Sequence, residues 1–222
     1  MPQANDEFIN CWNEILVPKW LKFRHILSGN GKFHSDLAYE YFQIDASNKV
    51  LDVGCGFGET SLEIAQRVGP SGEVLGIDCT KAFLEIAEQE RNQAGLNNVA
   101  FVTADAQTYE LPKEKFDVAY SRFGVMFFQS AVMAMKNCYR SLVPGGRLCL
   151  IVWRTLNDNP CWRIAKETAL RHLPPPGDGG QTCGPGPFSM ASEETTRSMI
   201  NAAGFKKIPV FQGIQLFNAI TR

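Results

Sequence analysis

From Lys49 onward the apolar positions of the chain follow two alternating periods. Short apolar runs, "KVLDV" (49–53), "EVLGID" (73–78), "NVAFVTAD" (98–105), "FDVAYSRF" (116–123) and "RLCLIVW" (147–153), have the length and β-branched content of buried strands. Between them, apolar residues recur at helical spacing. Leu62, Ala65 and Val68 follow the first run, and Phe83, Leu84, Ala87 and Ala94 follow the second, with Thr80 placed as an N-cap. Val132, Met135, Tyr139 and Leu142 mark the face of a later helix that is expected to stop at "VPGG", because proline and paired glycines end helices. Strands joined through helices of this length need right-handed crossovers, so the pattern predicts an α/β domain with a doubly wound, mostly parallel sheet. In such sheets a ligand lies beyond the carboxyl ends of the strands, where the strand order reverses.

Two regions depart from this alternation. Residues 1–48 ("CWNEILVPKWLKFRHIL" and its surroundings) are aromatic and mixed in charge, which predicts an N-terminal helical cap segment packed on a domain spanning 49–222. The stretch 173–190 is dense in proline and glycine and reads as a long irregular loop, of the kind that forms lids or linkers. A helix from about Pro160 to His172 precedes it. Another follows, starting at Ser192 with Glu193 and Glu194 in its first turn and Gly204 as its stop. The last residues, "KKIPVF" and "IQLFNAIT" around "QG", predict an antiparallel hairpin at the sheet edge.

Composition narrows the function classes. With 222 residues, 45% of them apolar, the chain suits one well-buried domain. Lys and Arg (22) nearly balance Asp and Glu (23), so no global field recruits nucleic acid or an anionic membrane. The polar start "MPQANDEF" lacks a signal pattern, and no run reaches membrane-spanning length; a cytoplasmic protein is expected. The seven cysteines are scattered without a C-x-x-C pair, so they are expected to be reduced, small buried apolar residues, and no metal site is expected.

The stretch "VLDVGCGFGETSLEIAQ" carries the most chemistry. Gly54, Gly56 and Gly58 follow the first strand, permitting a tight turn and close backbone approach by a ligand. Glu59 stands where a G-x-G-x-x-G dinucleotide fingerprint needs its last glycine. Asp52 lies just before the turn and no Lys or Arg occurs between Val50 and Gln66, so a pyrophosphate would be repelled and a cation favoured. S-adenosyl-L-methionine carries an ammonium and a sulfonium but no phosphate, and matches that balance. Asp78 ends the second strand, where an acid accepts from ribose hydroxyls, and Asp105 ends the third, in reach of an adenine amine. Any one of these aspartates reads most simply as a helix cap; three at successive strand ends favour a ligand.

At this point the sequence resembles the class I S-adenosylmethionine-dependent methyltransferases, and within them the small-molecule enzymes associated with ubiquinone and menaquinone biosynthesis. The resemblance runs from about Val50 to Trp153 and is carried, in order, by "VLDVGCGFG", "LGID", "TADAQ", "FDVAYSRFG" and "SLVPGGRL". It implies a Rossmann-like, seven-stranded sheet and transfer of a methyl group from S-adenosyl-L-methionine, with S-adenosyl-L-homocysteine as product. It implies that Gly54, Cys55, Gly56 and Gly58 line the methionine portion with Asp52 near the ammonium. It also implies Asp78, Cys79, Thr80 and Phe83 at the ribose, Asp105 and Ala106 at the adenine, and Ser121, Arg122 and Phe123 beside the sulfonium.

Methyl transfer needs alignment and dehydration more than a fixed catalytic motif. Candidate bases are His25, His34 and His172 with Tyr39 and Tyr41, His34 being favoured; each is individually more simply read as a surface or packing residue. Arg122 would bind an acidic substrate or a carboxylate of the fold. The fourth strand end reads "SRFGVMFF" rather than N-P-P-[YF], which argues against an exocyclic-amine or nucleic-acid substrate, while Phe123, Met126, Phe127 and Phe128 suit an apolar wall. "NPCW" (159–162) would add to the acceptor pocket, with Trp162 equally readable as a core anchor. The expected acceptor is a small molecule methylated at carbon, oxygen or nitrogen by a monomer or homodimer. The competing readings are an NAD(P)-dependent oxidoreductase and a non-catalytic S-adenosylmethionine-binding regulator.

Overall fold

The computed structural model describes residues 5–27, 29, 31–175, 184–211 and 215–221. All five apolar runs form strands: β1 (Lys49–Val53), β2 (Glu73–Asp78), β3 (Val99–Thr103), β4 (Phe116–Arg122) and β5 (Leu142–Val152). They pair in parallel, and a C-terminal hairpin of β6 (Val210–Phe211) and β7 (Gln215–Ile220) completes a seven-stranded sheet of order β3-β2-β1-β4-β5-β7-β6. β7 inserts antiparallel against β5, with Leu148 opposite Ala219 and Leu150 opposite Phe217, which leaves the two-residue β6 as the outer edge. An edge strand that short offers little unpaired backbone to another chain.

The period-2 alternation explains how both faces of this sheet come to be dry. Val50, Val118, Cys149 and Ile151 point to one face, where they meet Ile64, Ala65 and Val68 of α5 (Glu59–Val68) and Ala38 of α4 (Lys32–Tyr41). Leu51, Ala119, Leu148 and Leu150 point to the other, against Met135 and Cys138 of α7 (Ala131–Ser141) and Ile200 of α9 (Glu193–Ala202). Each fully buried Leu, Ile or Phe in these layers contributes about 1.5–3 kcal/mol of transfer free energy. The helix over residues 160–172 is present as α8 (Pro160–His172), but it buries no residue. Ser192 caps α9 by accepting from the Thr195 amide.

Some local expectations are corrected. α6 (Lys81–Ala94) begins after Thr80, yet the Thr80 hydroxyl donates to Asp78 instead of capping the helix, and Ala94 is exposed. "VPGG" does not end α7, which stops at Ser141; it lies inside β5, where a register shift between Phe116 and Val118 absorbs it. Trp162 is 44% exposed and no core anchor. Cys55, Cys138 and Cys149 are buried free thiols as expected, and Cys161 is free and exposed, but Cys11 is disulfide-bonded. Part of the proline- and glycine-rich stretch, residues 176–183, lies outside the described residues. Among the described residues no helix is long and apolar enough to cross a membrane.

Ahead of β1 come four short helices: α1 (Asp6–Cys11), continued by a π-helical turn (Trp12–Leu16), α2 (Val17–Lys22), α3 (Arg24–Leu27) and α4. α1 to α3 and the π-helical turn pack beyond the carboxyl ends of the strands, while α4 lies on a face of the sheet. Trp12 meets Phe127 edge-on at 5.0 Å, Val17 packs with Phe57 and Phe83, and Arg24 pairs with Glu90.

Where the turns after β1 and β4 touch, there is room only for glycine. A Cβ on Gly124 would lie 2.8 Å from the Val53 carbonyl oxygen and 2.9 Å from Gly54 Cα. Both obstacles are backbone, so Gly124→Ala should lower stability by about 1–3 kcal/mol, read as a lower urea midpoint with an unchanged slope.

Candidate active site

The strand order reverses between β1 and β4, the point where such sheets take a ligand, and the turns that follow these two strands meet there. The three glycines of the first turn do different jobs. Gly54 (φ +69°) allows contact with Gly124: its Cβ would fall 2.9 Å from Gly124 Cα. Gly58 (φ +80°) starts α5 in the left-handed region, and a Cβ there would strike Ala87 Cβ at 2.7 Å and the Phe101 ring at 3.0 Å. Of the three, only Gly56 (φ +54°) has nothing within 4 Å of its Cβ position among the described residues, so it is the glycine that borders open space. Below the turn, Ser121 donates its hydroxyl to the Val53 carbonyl at 2.7 Å and accepts from the Val125 amide at 3.3 Å, which locks the two strand ends together.

Four amides of the turn are engaged within the protein. Gly54 and Cys55 N–H donate to the Ile77 carbonyl at 2.8 and 3.2 Å, and Gly58 N–H donates to the Cys55 carbonyl at 2.9 Å. Gly56 N–H donates to Asp78 Oδ2 at 2.9 Å. A phosphate cradle works by aiming such amides outward at an anion. Here the Gly54, Cys55, Gly56 and Gly58 amides are taken up inside the protein, and at Gly56 a carboxylate takes the place an anionic ligand would need.

Asp78 accepts again at Oδ1, from the Thr80 amide at 2.9 Å and the Thr80 hydroxyl. Burial pushes its carboxyl above the usual range, and these hydrogen bonds pull it partly back. Asp52 is 1% exposed and lies beneath the turn, where Oδ2 accepts from Ser61 Oγ at 2.6 Å. Burial lifts its carboxyl to about 6 despite that bond and the nearby Arg122 charge. Asp105 Oδ1 accepts from the Gln107 amide at 2.9 Å, and its Oδ2 accepts from Asn5 Nδ2 at 3.2 Å. The neighbouring Ala106 is buried, its carbonyl held by Asn137 Nδ2 at 2.9 Å. Cys55 and Cys79 flank this row, and burial pushes both thiols up, Cys79 to about 12. Phe83 is buried against Phe57 with ring centroids 4.5 Å apart.

Beyond β4 the chain turns at Phe123, whose φ of +59° is strained for a residue with a side chain. Its ring stacks on Trp153 at 4.2 Å and 7°. His34 of α4 meets the pair edge-on, 5.0 Å from Phe123 and 5.4 Å from Trp153, and Trp162 and Phe188 extend the aromatic wall. Thus the favoured histidine does reach the end of β4.

Arg122 is turned inward rather than toward the aromatic wall. Nη1 donates to Ser35 Oγ at 2.8 Å, and the guanidinium faces Glu59 (3.4 Å) and Glu63 (4.0 Å), tying α4 to α5. The other candidate bases lie apart from the wall. His25, Tyr41 and His172 are exposed, while Tyr39 stacks on Tyr120 beneath the Arg67 guanidinium, its hydroxyl pushed well above the usual tyrosine range by burial.

Four contributors escape a reading of the sequence: Asn5, Gln107, the Glu59–Arg122–Ser35 tie and the Phe123–Trp153 stack. Trp153 alone had a signal, as a tryptophan at the carboxyl end of a strand run. Gln107 binds Asp105 two residues away, and the others depend on segments brought together from far apart in the chain.

Residues 50–146 match the family of the methyltransferase domain. A demethylmenaquinone methyltransferase of Listeria welshimeri is 26% identical over 178 residues, covering 79% of this chain and 74% of that protein. A S-adenosylmethionine-dependent methyltransferase of Aquifex aeolicus has the same fold (TM-score 0.61, 20% identity, 83% of this chain and 87% of that one). So does phosphoethanolamine N-methyltransferase 2 of Haemonchus contortus, solved with S-adenosyl-L-methionine (TM-score 0.69, 18% identity, 95% of this chain and 47% of that one). With the strand order and the glycine turn, these findings give residues 50–146 a methyltransferase domain and the chain the fold of the S-adenosylmethionine-dependent methyltransferases it resembles. In sequence it is similar to the demethylmenaquinone methyltransferases.

The buried Asp52 gives a pH signature. Its folded value of about 6 exceeds the ordinary carboxylate value, so the native state binds the proton more tightly than the unfolded chain. The stabilisation from protonation is complete below the unfolded value and is lost as the pH rises to about 6. Urea melts between pH 4 and pH 7 should therefore show this fall in the wild-type protein, and Asp52→Asn should lack it.

Proposed function

We propose that the crevice at the switch point binds S-adenosyl-L-methionine through the residues of the first three strand ends, and that the aromatic wall beyond β4 receives the methyl acceptor. The supporting observation is the spent set of turn amides: a site whose Gly56 N–H is answered by Asp78, with Asp52 buried below, suits a phosphate-free cationic nucleoside. Open space above Gly56 fits the methionine portion, with Gly54, Cys55 and Gly58 shaping the turn around it. Asp52 acts from below as a buried negative charge, one layer from the ammonium rather than in contact with it. Asp78, whose Oδ1 takes both Thr80 bonds while Oδ2 accepts from the Gly56 amide, keeps its remaining lone pair at Oδ2 for a ribose hydroxyl beside Cys79, Thr80 and Phe83. Asp105 and Ala106 hold the adenine. Ser121 and Phe123 border the sulfonium, and Arg122 serves as a strut that sets the distance between α4 and the turn.

The bound cofactor supplies an activated methyl group on a good leaving group, so the protein's share is alignment and exclusion of water. Phe123, Trp153 and His34 make a largely apolar surface suited to a small apolar or aromatic acceptor. His34 is the one candidate base at that surface, and accepts a proton where the acceptor must lose one. The near-neutral net charge supports a small-molecule acceptor over nucleic acid, taken by a monomer or homodimer. A non-catalytic, cofactor-binding role predicts tight binding without S-adenosyl-L-homocysteine formation against a broad acceptor panel.

Asp78→Ala should weaken S-adenosyl-L-homocysteine binding about tenfold or more, since charge-assisted hydrogen bonds of about 1.5–3 kcal/mol are lost. Isothermal titration of both proteins measures it, and an unchanged Kd would withdraw Asp78 from the site. NADH titrated alongside should give no heat; tight NADH binding would favour the oxidoreductase reading.

A further inference from the structure

We propose that Asn5 is a second recognition residue for the nucleobase amine, working beside Asp105 and selecting 6-amino over 6-oxo purines. The inference rests on the assignment of Asp105 to the adenine. Asn5 lies 100 residues away from Asp105 in the chain, yet its Nδ2 donates to Asp105 Oδ2 at 3.2 Å. The residue is only 8% exposed, and among the described residues its Oδ1 has no hydrogen-bond partner. A buried amide oxygen stripped of water and given nothing in return is a costly arrangement that a ligand can relieve. Nor is the side chain used locally, for although Asn5 occupies the N-cap position of α1 it makes no side-chain cap bond.

The chemistry of the pair specifies what fills it. Oδ1 and Nδ2 of an amide share one carbon, so the unpaired Oδ1 stands next to the Asp105 carboxylate; that carboxylate also accepts from Gln107 Nε2, at 3.0 Å on Oδ1 and 3.2 Å on Oδ2, and its remaining lone pair with Asn5 Oδ1 makes a pair of adjacent acceptors. An exocyclic amine has two N–H groups and satisfies both, one toward Asp105 and one toward Asn5. The Asn5 amide also holds a donor for a purine ring nitrogen, the pairing by which asparagine reads adenine elsewhere. A 6-oxo purine offers an oxygen to the same acceptors and is repelled. The position of Asn5 is fixed by the helices that follow it: Trp12 on Phe127, Val17 among Phe57 and Phe83, and Arg24 on Glu90 anchor this segment across the strand ends.

The test is calorimetric and needs no turnover. S-adenosyl-L-homocysteine and its 6-oxo counterpart, S-inosyl-L-homocysteine, are titrated into the wild-type protein, Asn5→Ala, the similarly sized Asn5→Leu and Asp105→Ala. Both Asn5 variants should lose about five- to tenfold in affinity for the amino nucleoside and change little toward the oxo one, narrowing the preference between them. Equal losses toward both nucleosides, or no loss at all while Asp105→Ala binds weakly, overturns the role of Asn5 and leaves the Asp105 assignment standing. Unchanged binding by Asp105→Ala removes the assignment itself, and the inference with it.

Discussion

The bond between the Gly56 amide and the Asp78 carboxylate joins the turn after β1 to the end of β2, and the rest of the site is arranged around it. It holds Gly56 at a φ of +54° with its open side toward the crevice, and it keeps the carboxylate at the crevice rim. The same bond removes an amide that a phosphate would require. One contact therefore sets both the shape of the cradle and the sign of its charge. Its supports lie in neighbouring layers: the Ile77 carbonyl gathers the Gly54 and Cys55 amides, and Thr80 holds the other oxygen of Asp78.

Charge in this region is buried rather than displayed. Asp52 and Ser61 lie under the turn, and Arg122 reaches the carboxylates of Glu59 and Glu63 from the side. Such groups act through a poorly screened interior, where a charge one layer away still influences a ligand cation. They also link the site to the N-terminal segment, because Arg122 holds Ser35 of α4, the helix that brings His34 to the aromatic wall. The glycine turn and the aromatic wall share a strut.

The strands and the helices between them were legible from periodicity because alternation along β1, β4 and β5 reports directly which side chains face which layer. The turn was legible because three glycines answer three separate steric demands, two of them packing constraints invisible in one dimension. What the sequence concealed came from long-range pairing. Nothing around Asn5 announces Asp105, and nothing in "SRFG" says that Arg122 points inward while Phe123 takes a left-handed backbone to stack on Trp153. "VPGG" misleads for a related reason: local breakers end helices in isolation, but here the parallel pairing of β4 and β5 continues past them through a register shift.

The central claim is that this turn holds a nucleoside without phosphate by keeping its amides engaged inside the protein. A crystal structure with S-adenosyl-L-homocysteine tests it most directly. The account predicts the thioether nucleoside over Gly56, its ribose on Asp78, and the Gly56 to Asp78 bond intact. A ligand seated elsewhere, or turn amides swung outward with that bond broken to meet it, would contradict the account.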